Sequence, residues 1–356
     1  MRAIRKRLVS LAAVLVLGLC LGGPAASADA AAKAPAGHGL YWGAWLGTQL
    51  TGSQPPWDMS AVSKFERTMG RGLSIVQFAS PFADCSQPGP CSPFPFPAAQ
   101  MHSIRDYGAI PFLSWSSASL SSAPDQPEFQ LGDVIRGAYD PYIRQFADEA
   151  AAWGHPFFLR FDWEMNGSWF PWAEGANGNK PGEYVAAWRH VHDIFASAGA
   201  TNATWTWCPY AGSKQAAAGL RRYYPGGAYV DWTCMDGYNW GHAQRNTPWM
   251  SFDEIFGASY WSIQGFAHGK PMMLGELASN GPAPRKTAWI RDMFQALPRY
   301  PLIRGLVWFD QFDRGIQWPV ETAPDTAAAF SSGIRNNLFR GNQFGSISAS
   351  PIPPPR

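Results

Sequence analysis

From residue 38 onward, short apolar runs alternate with stretches of helical spacing. The runs are Leu40–Leu46, Ser74–Ala79, Ala109–Trp115, Pro156–Trp163, Ala203–Trp207, Val230–Met235, Pro271–Leu274 and Ile303–Phe309. Between them, Asp140–Trp153 repeats apolar residues at Tyr142, Phe146 and Ala150. Pro181–Ala198 opens with Pro and Glu183, carries Val185, Trp188 and Phe195, and stops at Gly199, the start and stop signals of a helix. Strands that are apolar on both faces and separated by helices predict an α/β fold, a closed (β/α)8 TIM barrel. An open doubly wound sheet is the runner-up. The Gly-rich phosphate turn it usually carries after its first strand is absent.

The barrel accounts for residues 38–341 as a single domain, and the flanks read differently. Residues 1–28 resemble a signal peptide: Arg2, Arg5, Lys6 and Arg7, then the apolar run Leu8–Leu21, then Ala26-Ser27-Ala28. A signal anchor, or a lipoprotein at Cys20, is the weaker reading, because the run is short for a span and Leu19 is bulky for a lipobox. Residues 29–37 are expected to be a disordered N-terminal segment. Residues 342–356 are expected to be a Pro-rich C-terminal tail, in which Ser348–Arg356, with Pro351 and Pro353–Pro355, is too Pro-rich to fold. Secretion as a monomer follows as the expectation.

Composition narrows the partners. The net charge is +2, and loss of the four basic residues of the leader leaves −2 without a basic stripe. Nucleic acid and membrane surfaces are therefore not expected partners. Aromatic residues make up 15% of the chain and include 18 Trp, more than core packing needs and suited to a carbohydrate cleft. Cys85, Cys91, Cys208 and Cys234 remain after Cys20, an even set that favours disulfides in an exported chain, with three pairings open. Without CxxC spacing no metal site is expected, and nothing in the sequence calls for a cofactor.

The chemistry concentrates in Leu159–Trp172 (Leu-Arg-Phe-Asp-Trp-Glu-Met-Asn-Gly-Ser-Trp-Phe-Pro-Trp). If the strand continues, Arg160, Asp162 and Glu164 share one face. Charges on a buried strand are costly unless that face opens onto a site. Glu164 closes the fourth strand, and Glu276, in Met273-Leu274-Gly275-Glu276-Leu277, closes the seventh. Two carboxylates facing each other across a barrel mouth can supply an acid/base and a nucleophile for glycoside hydrolysis. A salt-bridged rim residue is the plainer reading of either Glu alone.

Arg160–Trp172 resembles the acid/base motif of glycoside hydrolase family 26, typified by secreted endo-β-1,4-mannanases. The resemblance runs in order and spacing through Tyr238, Glu276 and Trp308. It implies Glu164 as general acid/base, Glu276 as nucleophile and Tyr238 as its orienting hydroxyl. Trp169 and Trp308 would wall the sugar subsite, and Arg160 would support the catalytic strand. Arg160, Trp163, Asn166, Trp172 and Trp240 complete the expected substrate-binding set, with sugar stacking and core packing both open for Trp172 and Trp240. The family usually has His before the acid/base, where this chain has Trp163. The resulting expectation is a retaining endo-glycosidase on β-linked polysaccharide, mannan first. A β-glucanase or β-xylanase on the same scaffold, or a non-catalytic carbohydrate-binding barrel, are the alternatives.

Overall fold

The computed structural model describes residues 39–121, 123–243 and 247–356. The expected leader and the segment 29–37 lie outside them. Among the described residues, eight parallel strands close on themselves: β1 Tyr41–Leu46, β2 Ile75–Asp84, β3 Ile110–Ser119, β4 Phe157–Phe161, β5 Ala203–Trp207, β6 Trp232–Asn239, β7 Met272–Ser279 and β8 Ile303–Asp310. Closure is made by β1, which pairs with β2 at Gly43↔Ile75 and with β8 from Tyr41↔Gly305 to Leu46↔Asp310. The (β/α)8 TIM barrel expected from the apolar pattern is the fold.

Helices follow the strands: α1 Ser60–Met69, α2 Ala98–Tyr107, α3 Asp140–Trp153, α4 Glu183–Ser197, α5 Lys214–Ala218, α6 Phe252–Gln264, α7 Ala283–Ala296 and α8 Pro324–Ile334. Their ends carry local signals. Ser251 and Glu254 form a reciprocal capping box at the start of α6. Gly70 and Gly154 end α1 and α3 in left-handed conformation, at φ 69° and 72°.

Strand lengths differ from expectation in two directions. β3 runs on through Ser116 to Ser119, where the hydroxyls of Ser117 and Ser119 are buried and bonded, to Asp162 and Gln126. A polar run looks like a strand end in sequence, yet bonded hydroxyls cost little to bury. β4, by contrast, stops at Phe161 rather than Trp163.

The barrel interior is filled by side chains from alternate strand positions, among them Tyr41, Ile75, Phe112, Phe158, Trp232 and Val307. Ile352 belongs to the same cluster at 1% exposure. Its N–H donates to Thr204 Oγ1 (2.9 Å), its carbonyl accepts from Trp232 Nε1 (2.8 Å), and Tyr41 OH donates to the Pro353 carbonyl (2.9 Å). Tyr41, Thr204 and Trp232 sit at strand starts, so the segment closes the N-terminal end of the barrel. The expectation that Ser348–Arg356 does not fold is corrected. Prolines rule out regular structure, but they do not prevent docking of an extended chain. Disulfides join Cys85 to Cys91 and Cys208 to Cys234.

Candidate active site

The site begins where β4 ends. After Phe161 the chain turns through Asp162 (φ 42°) and Glu164 (φ 54°). Left-handed backbone at such residues costs on the order of 1–3 kcal/mol and persists only where neighbours enforce it. Asp162 donates its N–H to the Trp115 carbonyl (3.1 Å), and its carboxylate accepts from Ser117 N (2.8 Å) and Oγ (2.7 Å). Burial pushes Asp162 up to about 7, against the pull of the Ser117 bonds. Glu164 donates its N–H to the Cys208 carbonyl just past β5 (2.7 Å). The shared face expected for Arg160, Asp162 and Glu164 is therefore corrected. Arg160 points into the barrel, Asp162 turns to β3, and Glu164 enters the mouth from a loop.

Glu276 is delivered by a bulge. In the β6–β7 ladder Met235 pairs with Leu274 and Asp236 with Glu276, so Gly275 is skipped. A Cβ on Gly275 would lie 2.5 Å from Cys234 Sγ and 2.7 Å from Asp236 Oδ1. Only glycine fits there.

Glu164, Asp236 and Glu276 are 5%, 0% and 7% exposed. Each places one carboxylate oxygen within 4.8 Å of the other two. Beneath them the buried Arg160 guanidinium donates Nη1 to Asp236 Oδ2 (2.6 Å), Nη2 to Glu276 Oε1 and Nε to Ser114 Oγ (2.9 Å). Gln77, with its amide oxygen towards Arg160 Nη2 (2.7 Å), donates its nitrogen to the Gly275 carbonyl (2.8 Å). Tyr238 OH donates to Glu276 Oε2, and Trp169 Nε1 donates to Glu164 Oε2 (2.6 Å).

One guanidinium does not neutralise three carboxylates. Burial first, then the charge of Glu276, pushes Glu164 up to about 8, opposed by the Trp169 N–H and Arg160. Burial also lifts Asp236 well above the usual carboxylate range in spite of Arg160. Tyr238 is raised well above its ordinary value by burial and by Glu276, so it stays a hydroxyl donor. The three oxygens are close enough to chelate a cation, but the Arg160 guanidinium already holds Asp236 and Glu276.

The expected site residues separate into two groups. Glu164, Glu276, Tyr238, Trp169 and Trp240 come together at the mouth. Trp169 is 44% exposed and packs edge-on against Tyr210, while Trp240 donates Nε1 to Tyr210 OH (3.1 Å). Trp308, Trp172, Asn166 and Arg160 are corrected, while Trp163 stays half-exposed beside Glu164. Trp308 faces the helix layer, fully buried against Trp289 and Phe330. It lies on the opposite face of β8 from the mouth. Trp172 is buried at 2%, stacked on Phe170, with its N–H on the Trp163 carbonyl. Both polar ends of Asn166 are engaged with the Tyr210 backbone (2.9 and 2.8 Å). Arg160 holds carboxylates and is closed to substrate. Trp163 covers its guanidinium at 4.7 Å.

Asp236, Tyr210 and Trp318 were not anticipated from sequence. Trp318 packs on Tyr238 and Trp240 at 5.1 and 5.0 Å. The signal available for Asp236 was its place two residues before Tyr238 in an apolar strand.

Comparison with known proteins bears on this arrangement. The family model "Glycosyl hydrolase family 26" matches residues 116–274, a span that holds Glu164, Asp236 and Tyr238. Endoglucanase H of Acetivibrio thermocellus is 32% identical over 304 residues, 83% of this chain. The chain belongs to glycosyl hydrolase family 26. It spans 30% of the length of Endoglucanase H. A shorter match, 35% identical over 81 residues, links it to mannan endo-1,4-beta-mannosidase A and B of Caldalkalibacillus mannanilyticus, covering 21% of this chain and 15% of that one. The fold resembles that of a family 26 β-mannanase from Bacteroides ovatus (TM-score 0.62, 17% identity, 88% of this chain and 92% of the other).

Proposed function

We propose that the protein is a retaining glycoside hydrolase acting on β-linked polysaccharide. The observation that carries this is the carboxylate pair, since oxygens of Glu164 and Glu276 approach within 4.8 Å. Retaining enzymes keep their two carboxyls about 5–5.5 Å apart, whereas inverting ones need about 6.5–9.5 Å to admit water between them. Glu276, held by Arg160 and Tyr238, attacks the anomeric carbon. Glu164, protonated through its raised pKa, passes its proton to the departing oxygen as the glycosidic bond breaks. The ester between sugar and Glu276 is then cleaved by water, whose proton returns to Glu164.

Mannan is the first substrate to test, in keeping with the motif around Glu164. A β-glucan is favoured by a separate observation: the relative matched over 83% of the chain is named an endoglucanase. Trp163, an indole lying on Arg160, also changes the polar surroundings of the acid/base. The deciding experiment measures reducing-sugar release from galactomannan, mixed-linkage glucan, carboxymethylcellulose and β-xylan, with Glu276→Ala alongside. Release by the parent with at least about 10³-fold loss in the variant is expected. Substantial turnover by Glu276→Ala without added nucleophile would remove Glu276 from this role. Secretion, and residues 38–341 as the catalytic domain, remain part of the proposal.

A further inference from the structure

The turn that carries Glu164 is held from both sides, and one of the two holds lies outside the carboxylate cluster. β4 leaves the sheet at Phe161, opposite Trp115 of β3. Asp162 and Glu164 then take left-handed backbone, at φ 42° and 54°. On the β5 side, the Glu164 N–H reaches the Cys208 carbonyl (2.7 Å), and the disulfide to Cys234 ties Cys208 to β6. On the β3 side the hold is Asp162. Its N–H donates to the Trp115 carbonyl, and each carboxylate oxygen takes one donor from Ser117, Oδ1 the N–H (2.8 Å) and Oδ2 the hydroxyl (2.7 Å). Between the two holds, the Trp163 carbonyl accepts from Trp172 Nε1 (2.6 Å).

Asp162 and Ser117 are both 0% exposed, and among the described residues Ser117 supplies the donors to this carboxylate and no cation pairs with it. A buried carboxylate without a cation is costly. An apolar side chain would avoid that cost, but it would neither suit the left-handed backbone nor grip β3. Aspartate does both, because its short polar side chain tolerates positive φ and bonds to nearby backbone. Glu164 is two residues further on, so a shift at Asp162 is passed directly to it.

We infer that Asp162 is a positioning residue for the acid/base: latched to Ser117, it fixes the turn that presents the Glu164 carboxyl to the glycosidic oxygen. It touches no substrate itself. The inference rests on the proposed role of Glu164 and adds the residue that sustains it. Protonation of the leaving oxygen needs the acid within hydrogen-bond reach. Loosening the turn therefore penalises the substrates whose leaving group depends on that proton. Attack by Glu276, held by Arg160 and Tyr238, does not pass through this latch.

Aryl β-cellotriosides and β-mannotriosides provide the readout in two forms. The 2,4-dinitrophenyl group departs as a stable phenolate without a proton, whereas the phenyl group needs one. In Asp162→Ala the ratio of kcat/KM for phenyl to that for 2,4-dinitrophenyl should fall at least about tenfold, a share of the roughly 10²–10⁴ that acid–base catalysis supplies. Asp162→Asn still accepts from the Ser117 N–H and donates its amide to Ser117 Oγ, so it should bring the ratio back to within about threefold of the parent. An equal fall on both substrates, or an unchanged ratio, would make Asp162 a packing residue and overturn the inference. Should Asp162→Ala fail to fold, Ser117→Ala removes one of the two donors. Its ratio should fall about threefold, and an unchanged one would overturn the latch. Glu164→Gln is measured beside them. A ratio that falls in Glu164→Gln but not in Asp162→Ala rejects the latch and leaves the acid/base in place. A ratio unmoved in Glu164→Gln removes Glu164 from the acid role, and the role of Asp162 with it.

Discussion

At the scale of the residue, the proposed role requires Glu164 to hold a proton at working pH and still accept one later. Its carboxyl is pushed up to about 8 by burial and by Glu276, and the hydrogen bond from Trp169 works in the opposite sense. A donor to the carboxylate stabilises the charged form, so it lowers the pKa. The first step needs the protonated acid, and activity should therefore fall as pH rises through about 8. In Trp169→Phe the donor is gone, the pKa rises, and the basic limb of kcat/KM should move upward by about half to one pH unit. A limb that stays in place would show that another group sets it. The left-handed backbone at Glu164 belongs to the same scale. It brings Glu164 to the mouth from the turn that follows β4 rather than from the strand itself.

At the scale of the element, the segment after β8 shows how a loop is held. Lys286, near the start of α7 and 1% exposed, donates to the carbonyls of Gln317, Trp318 and Pro319 at 3.0, 3.0 and 2.7 Å. Asp310 accepts from the Val320 N–H (2.8 Å), and Gln49 links Asp310 to Glu321. Burial lowers Lys286 to about 8, against the attraction of Asp310 and Glu321. This cage sets Trp318 against Tyr238, which donates to Glu276. Lys286→Met keeps the length of the side chain but removes the shared donor of three carbonyls, of which that of Trp318 keeps Trp308 Nε1 (3.2 Å). We expect a loss of about 2–4 kcal/mol in urea denaturation, together with faster amide exchange across 311–322. Unaltered exchange there would mean that the loop holds itself.

At the scale of the whole molecule, the barrel is closed at one end by its own C-terminal segment and opens at the other onto the carboxylates. Ile352 inserts among Tyr41, Phe158 and Trp232, far along the chain from each of them. Ile352→Ala should cost about 2–4 kcal/mol of stability, read from the denaturation midpoint. Activity per folded molecule should be retained, because the site lies at the other end of the strands. Loss of activity without loss of stability would instead tie this plug to the mouth.

The sequence by itself determined the barrel, the order of its strands, and the association of Glu164 and Glu276 with the fourth and seventh, although Glu164 lies in the loop past β4 and Glu276 within β7. Those features follow from local periodicity and from single chemical groups at strand ends, which one-dimensional pattern preserves. Only the tertiary structure decided which face each end residue presents. Trp308 and Phe309 are neighbours in sequence, yet alternation sends one to the helix layer and the other to the mouth. The bulge at Gly275, the turn at Asp162 and the docking of Ile352 depend on partners from distant strands. Asp236 was overlooked for the same reason. A carboxylate in an apolar strand gains its meaning from the Arg160 beside it, and that contact exists only once the barrel has closed.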